Sequence, residues 1–216
     1  MRVLEIFASL QGEGVNLGKP SVFVRLAGCP IRCAYCDTKY SWDYGAGVEM
    51  GVEDVVKKAV SLGVGGHVVV TGGEPLTWLG RGLEDLVCRL RELGAVEIET
   101  SGVYPPSDRL DQCVDYYDVS PKLSNAGVKA PLHPFYPSSP KAWFKFVVRD
   151  GADVEEAATY VEARGIQRGR VFLMPMAETP EEHSAVLRRI WDAALRHGLK
   201  VTPRLHIAAW GNARGR

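Results

Sequence analysis

Three of the chain's five cysteines fall within eight residues, in the run Cys29-Pro30-Ile31-Arg32-Cys33-Ala34-Tyr35-Cys36-Asp37-Thr38, spaced C-x3-C-x2-C. Thiolates hold iron–sulfur clusters, and a four-iron cluster ordinarily takes four of them. The other two cysteines, Cys88 and Cys113, stand far along the chain, so no fourth ligand is obvious. A cluster held by three thiolates keeps one iron open, and an open coordination position is where a substrate or cofactor binds. Two other readings stand beside this one. Positions 29, 33 and 36 would share one face of a helix, started by Gly28 and Pro30, and three cysteines would then simply be buried there. Zinc is the third option, but it usually wants four ligands in paired spacings, and the sequence offers no second pair.

The elements that must position this loop are legible from periodicity. Residues 2–9 alternate as a strand does, and Leu10-Gln11-Gly12-Glu13-Gly14 breaks the alternation with two glycines. Residues 21–27 read as a strand running straight into the cysteine loop. Val52, Val55, Val56, Ala59 and Val60 recur at helical spacing. Residues 67–70 form a short apolar run, as in a strand buried on both faces, ending in Thr71-Gly72-Gly73-Glu74. Leu83, Leu86, Val87, Leu90 and Leu93 mark a second helix, closed by Gly94. Strands over 96–99 and 114–119 end in Glu99-Thr100 and Ser120-Pro121-Lys122.

Periodicity fails over residues 123–141, where prolines stand at 131, 134, 137 and 140. This stretch reads as an excursion replacing a crossover helix. A strand at 142–148, a helix at 154–164 and a strand at 171–173 follow. Thr179 and Glu182 offer a capping box, with Pro180 first in a helix reaching about His197, and 200–206 reads as a last strand. Strands alternating with helices predict a parallel sheet with right-handed crossovers. The expected fold class is therefore α/β, a partial (β/α) barrel with one reduced crossover. It forms a single domain over 1–216, with an N-terminal strand and loop at 1–20 and a C-terminal segment at 198–216.

Composition narrows the partners. With 26 basic and 26 acidic residues, no net field recommends nucleic acid or a membrane, and the expected substrate is a small molecule. The opening residues form no apolar leader and no stretch reaches transmembrane length, so a cytoplasmic protein is expected. Clustered thiols in that setting suit a metal role rather than disulfides. Asn and Gln number only three each, a composition that points to a thermophilic source.

The small, polar and charged groups fall at the carboxyl ends of successive predicted strands, the edge where parallel sheets place their ligands. The cysteine loop, Thr71-Gly72-Gly73-Glu74, Glu99-Thr100 and Ser120-Pro121-Lys122 should therefore meet in one pocket. Each segment alone is also plausible turn chemistry. Gly72 and Gly73 would let backbone approach a ligand where a side chain would intrude.

With Tyr35 before Cys36, the motif resembles the C-x3-C-x-aromatic-C signature of the radical S-adenosylmethionine (radical SAM) superfamily. The resemblance implies a four-iron, four-sulfur cluster on Cys29, Cys33 and Cys36, whose open iron binds SAM. It also implies reductive cleavage of SAM to a 5′-deoxyadenosyl radical, in a partial barrel of the radical SAM type. The stretch at Gly73 resembles the motif that binds the SAM amino group. Ser120-Pro121-Lys122 and Glu99-Thr100 resemble segments around the rest of SAM.

Other residues narrow the resemblance. Leu10 to Gly14, Phe23-Val24-Arg25, Cys36-Asp37-Thr38, Ser120-Pro121-Lys122, and His206 ahead of Trp210-Gly211 together resemble the 7-carboxy-7-deazaguanine synthase family, nearly end to end. That family contracts the ring of 6-carboxy-5,6,7,8-tetrahydropterin to 7-carboxy-7-deazaguanine with loss of ammonia, for queuosine or archaeosine. SAM serves it as a reusable cofactor that takes a hydrogen from C6 and returns one. Carried over, Tyr35, Asp37, Gly73, Ser120 and Lys122 border SAM, and Thr38 binds Mg²⁺ together with the substrate carboxylate. Leu10, Gln11, Gly12, Arg25, Thr71 and His206 hold the pterin.

A guanidinium fork matches a carboxylate in two bonds, which favours Arg25 on its own chemistry, against the alternative of a surface ion pair. For His206 the alternative is a solvated or core histidine. Glu13, Lys39 and Trp42 receive no role, and Trp210 to Arg216 carries little weight. A flavodoxin or ferredoxin as electron donor and a homodimer follow from the family alone. Two alternatives remain at this point: an activase that places a glycyl radical on a partner enzyme, and a non-enzymatic iron–sulfur or zinc module.

Overall fold

In the computed structural model, β1 (Arg2–Leu10) and β2 (Pro20–Leu26) pair antiparallel, with Glu5 opposite Arg25 and Phe7 opposite Phe23. The structure describes residues 1–215; Arg216, the last residue of the expected C-terminal segment, lies outside them. In chain order there follow β3 (Val48–Glu49), α1 (Val52–Ser61), β4 (Gly66–Gly72), α2 (Leu83–Leu90), β5 (Gly94–Thr100) and α3 (Asp108–Cys113). Then come β6 (Tyr116–Val119), α4 (Phe135–Ser138), β7 (Ala142–Val148), α5 (Gly151–Ala163), β8 (Val171–Pro175), α6 (Pro180–His197), β9 (Lys200–Val201) and α7 (Leu205–Trp210).

These strands make one sheet in the order β3-β1-β2-β4-β5-β6-β7-β8-β9, parallel from β2 to β9. The outer strands β3 and β9 do not meet, so the barrel is partial, as expected. The reduced crossover is also where the sequence put it. Between β6 and β7 the chain has only a 3₁₀ turn at Ser124–Ala126 and the single turn of α4.

Strand residues alternate between two faces. Val22, Val24, Val68, Val70, Val96, Ile98, Tyr117, Val119, Phe144, Phe146 and Leu173 belong to the core cluster with the helices. Arg25, Thr71, Glu97, Glu99, Asp118 and Lys145 are offset from them by one residue and so face the other way. Register aligns the second set across strands: Glu5 with Arg25, Arg25 with Thr71, and Glu99 with Asp118. One face of the sheet thus packs the core and the other carries a row of polar groups toward its carboxyl edge.

Several expectations need correction. The last strand is not 200–206 but Lys200–Val201, followed by α7. Pro203 has no N–H to give a ladder, and the Arg204 N–H is taken by His183 Nε2 at 2.9 Å. The strand expected at 114–119 begins at Tyr116, because Ser107 caps an unforeseen α3 by accepting from the Leu110 N–H. The helix expected at 154–164 begins at Gly151, capped by Asp150. At α6, Thr179 accepts from the Glu182 N–H as anticipated, but Glu182 reaches the Glu178 N–H instead of closing the capping box. Cys88 on α2 and Cys113 at the end of α3, outside the thiol cluster, form a disulfide that the sequence does not signal. No helix among the described residues is long and apolar enough to cross a membrane.

Candidate active site

The cysteine loop is irregular rather than helical, so the shared helical face does not exist. Its backbone is held by Gly28 N–H to Ser41 O at 2.7 Å, Cys29 N–H to Trp42 O at 3.1 Å, and Ala34 N–H to Ala126 O at 2.9 Å. The last bond ties the loop to the reduced crossover, whose missing helix leaves room for it. Cys29, Cys33 and Cys36 are free thiols that line a cavity of about 910 Å³. Leu10, Gln11, Gly12, Arg25, Tyr35, Asp37, Thr38, Thr71, Gly73, Glu99, Thr100, Ser120, Lys122 and His206 line the same cavity. Pro121, between Ser120 and Lys122, is buried and is not among the lining residues.

The donor set fits an iron–sulfur cluster. Burial pushes the Cys29 and Cys33 thiols up, so a bound metal is what would make thiolates of them. Among the described residues the Tyr35 hydroxyl is buried without a hydrogen-bond partner, while Lys122 Nζ lies 5.8 Å from the Tyr35 ring centroid and donates to Ser120 Oγ at 3.0 Å. A cation, a hydroxyl and an unsatisfied phenol beside three thiols suit a zwitterionic nucleoside such as SAM.

The glycine reading needs revision. A Cβ at Gly72 would stand 2.0 Å from Leu26 O, and one at Gly73 would stand 2.1 Å from Gly28 O. These glycines therefore let β4 approach β2 and the cysteine loop, not only a ligand. Glu74 is a buried staple. It accepts from Thr100 Oγ1 at 2.7 Å, from the Ser101 N–H at 2.8 Å and from the Ser101 hydroxyl. The Thr100 hydroxyl is thus committed to Glu74.

Glu99 accepts from Thr71 Oγ1 at 2.6 Å and from Gln11 Nε2 at 3.3 Å, two residues expected to hold the pterin. Gln11 Nε2 also donates to Glu97 at 2.6 Å, and Asn16 Nδ2 donates to the other Glu97 oxygen at 2.6 Å. Oxygens of Glu97, Glu99 and Asp118 lie within 4.8 Å of one another, close enough to hold a metal. Lys145 Nζ occupies that role already, at 2.8 Å from Asp118 and 3.6 Å from Glu99.

Sequence reasoning missed five residues of this interior: Glu13, Glu97, Asp118, Lys145 and Arg204. Glu13 receives Lys145 at 2.6 Å and Arg204 Nε at 2.8 Å. Burial alone would raise its pKa, but Lys145, Arg204 and His206 outweigh burial and hold it below the usual carboxylate range. Burial pushes Asp118 up to about 7, against the pull of Lys145 and with repulsion from Glu97 and Glu99. Among the described residues its Oδ1 has no hydrogen-bond partner. Burial lowers the pKa of His206, whose ring packs so close that a Cβ on Gly12 would lie 2.2 Å from its Nδ1. The overlooked signal was a charge every second residue inside apolar strands, as in Val96-Glu97-Ile98-Glu99 and Phe144-Lys145-Phe146.

Comparison with known proteins agrees with this geometry. Residues 23–190 match the model of the radical SAM superfamily. The chain is 76% identical over 216 residues to a 7-carboxy-7-deazaguanine synthase of Pyrobaculum aerophilum, covering 100% of this chain and 97% of that one. It is 43% identical over 223 residues to the protein of the same name from Hyperthermus butylicus, covering 96% and 92%. The crystal structure of QueE from Escherichia coli superposes with a TM-score of 0.68 at 27% identity, covering 93% of this chain and 92% of that one. The thiol loop, the partial barrel and these matches place the chain in the 7-carboxy-7-deazaguanine synthase family of the radical SAM superfamily.

Proposed function

We propose that the chain is a carbon–nitrogen lyase that contracts 6-carboxy-5,6,7,8-tetrahydropterin to 7-carboxy-7-deazaguanine with loss of ammonia. The observation that carries this reading is the convergence of two chemistries on one cavity, whose lining includes both the three thiols and the polar row Arg25-Thr71-Glu99. When bound, the four-iron cluster and SAM supply the hydrogen-abstracting radical.

The protein's own residues do the rest. Glu99, oriented by Thr71 and Gln11, presents a carboxylate to the amino and ring N–H donors of the pterin edge. Arg25 takes the substrate carboxylate. Ser120, Lys122, Tyr35 and the backbone at Gly73 hold SAM, while Asp37 and His206 complete the wall between the sites. Thr38 offers an oxygen to Mg²⁺, a hard cation matched to oxygen ligands and to the carboxylate. Phe7, Phe23, Met174 and Met176 give the cavity an apolar part of its lining. A small one-electron carrier such as a flavodoxin or ferredoxin would deliver the electron, and a homodimer is the assembly the family implies.

Binding tests the substrate class directly. The carboxylated tetrahydropterin should bind the SAM-loaded enzyme at least about tenfold tighter than the same pterin without its carboxylate. Equal affinities would overturn the pterin pocket as drawn.

A further inference from the structure

Arg204 is 7% exposed, and its donors reach three separate segments of the chain. Nε donates to Glu13 Oε1 at 2.8 Å, in the loop after β1. Nη2 donates to Asp37, which directly follows the third cysteine in the loop after β2. Nη1 donates to Ala177 O at 2.5 Å, beyond β8, and the Arg204 backbone N–H meets His183 of α6. Around it, the Leu205 N–H donates to Gly12 O at 2.9 Å, and His206 occupies the space a side chain on Gly12 would need.

We propose that Arg204 is a positioning residue that fixes the substrate loop, Gln11 to Glu13, against the cysteine loop at Asp37. The proposal deepens the function given above and rests on it for what the two loops hold. Radical chemistry demands this registration. The abstracting carbon and the substrate hydrogen must meet within van der Waals contact, and a misplacement of one ångström costs about a hundredfold in rate. Neither loop has that accuracy alone, since each leaves its strand as irregular backbone.

Arginine suits the task where lysine does not. Its planar fork serves three acceptors in different directions at once, whereas an ammonium is a point charge on a flexible stem. Both carboxylates keep some support without it. Glu13 retains Lys145 at 2.6 Å, and the Asp37 side chain is 29% exposed and can be hydrated. Lysine at 204 keeps a positive charge near both carboxylates, so Arg204→Lys tests the geometry of the fork rather than the loss of a charge.

Two experiments decide the matter. Hydrogen exchange on the protein without cluster or SAM asks whether the loops are joined, independently of any reaction. In Arg204→Lys, segments 11–17 and 34–42 should lose protection together by about tenfold or more, while α1 and α2 keep theirs. Unchanged exchange in both segments would overturn the proposal. On the reconstituted enzyme, the ratio of 5′-deoxyadenosine to ring-contracted product should rise about tenfold, with iron content retained, because the radical then forms beside a misplaced substrate. A proportional fall of both at a constant ratio would mean that Arg204 is merely structural. Asp37→Ala removes the acceptor of the arm to the cysteine loop and should raise the ratio too; an unchanged ratio there contradicts the proposal even if Arg204→Lys folds poorly. Joint loss of protection without any pterin turnover would keep the coupling and sink the substrate assignment instead.

Discussion

Glu5 and Arg25 face each other across the β1–β2 pair, and Arg25 Nε donates to Glu5 Oε2 at 2.9 Å. The same Glu5 oxygen accepts from the Tyr40 hydroxyl at 3.2 Å. Arg25 is thus held by one edge of its guanidinium, and no terminal nitrogen of it makes a hydrogen bond among the described residues. That leaves the terminal pair for a ligand carboxylate in the cavity. Arg25→Ala should retain the cluster and weaken pterin binding by roughly ten- to a hundredfold, as expected for a lost charge-assisted bond of about 1.5–3 kcal/mol. Titration of the SAM-loaded variant with the pterin checks it, and unchanged affinity would remove Arg25 from the site.

Thr38 Oγ1 lies 3.6 Å from Cys36 Sγ, at the cavity wall. Thr38→Ala should keep its iron but respond less to added Mg²⁺. The defect should be partial, because a magnesium ion retains waters and can recruit another in place of the hydroxyl. A magnesium titration of turnover measures this; a wild-type response would mean that Thr38 is not a ligand.

The Cys88–Cys113 disulfide closes a separation of 25 residues and ties α2 to α3, beside the start of β6. In the loop-entropy model, a crosslink of that span contributes roughly 3–4 kcal/mol. Replacing both cysteines by alanine should lower stability to guanidinium unfolding by that order while leaving the iron content unchanged. Thiol counting in the denatured protein without its cluster should find three free thiols before reduction and five after. Five before reduction would contradict the bond.

Asp118 sets a pH dependence. Its folded pKa is raised by burial to about 7, from an ordinary value of 3.8. A carboxyl with a raised folded pKa contributes fully below its unfolded value, and that contribution is lost as pH rises through the folded value. Asp118→Asn cannot ionise, so it should gain on the wild type as pH rises from about 4 to 7. The difference should level off above, with a slope of at most about 1.4 kcal/mol per pH unit. Asp118 and Glu13 share Lys145, so the curves are compared above about pH 4, where Glu13, held below the usual carboxylate range, stays ionised in the wild type. Paired unfolding curves across this range check it, and a flat difference would show that Asp118 is ionised throughout.

The sequence disclosed what depends on short spacing. Three cysteines in a row of eight residues, paired glycines after a strand and period-2 strands all carry their meaning locally. What it hid depends on which strand face looks inward. Lys145 in Phe144-Lys145-Phe146 reads as a solvated charge until register sets it beside Asp118 and Glu13. Arg204 finds Glu13 and Asp37 across 191 and 167 residues, a closure that no local pattern signals. Six-residue α7 is too short to show a helical period, and its position was read instead as the end of a strand. Glu99 was grouped with Thr100 as its chain neighbour, yet alternation turns the two to opposite faces.

The most direct measurement is anaerobic turnover of 6-carboxy-5,6,7,8-tetrahydropterin by the reconstituted chain with SAM and reductant, read by mass spectrometry. The account predicts 7-carboxy-7-deazaguanine and released ammonia, many products formed per SAM consumed, and neither product nor iron loading in Cys33→Ala. SAM cleavage in the presence of this pterin, with no deazaguanine formed, would contradict it.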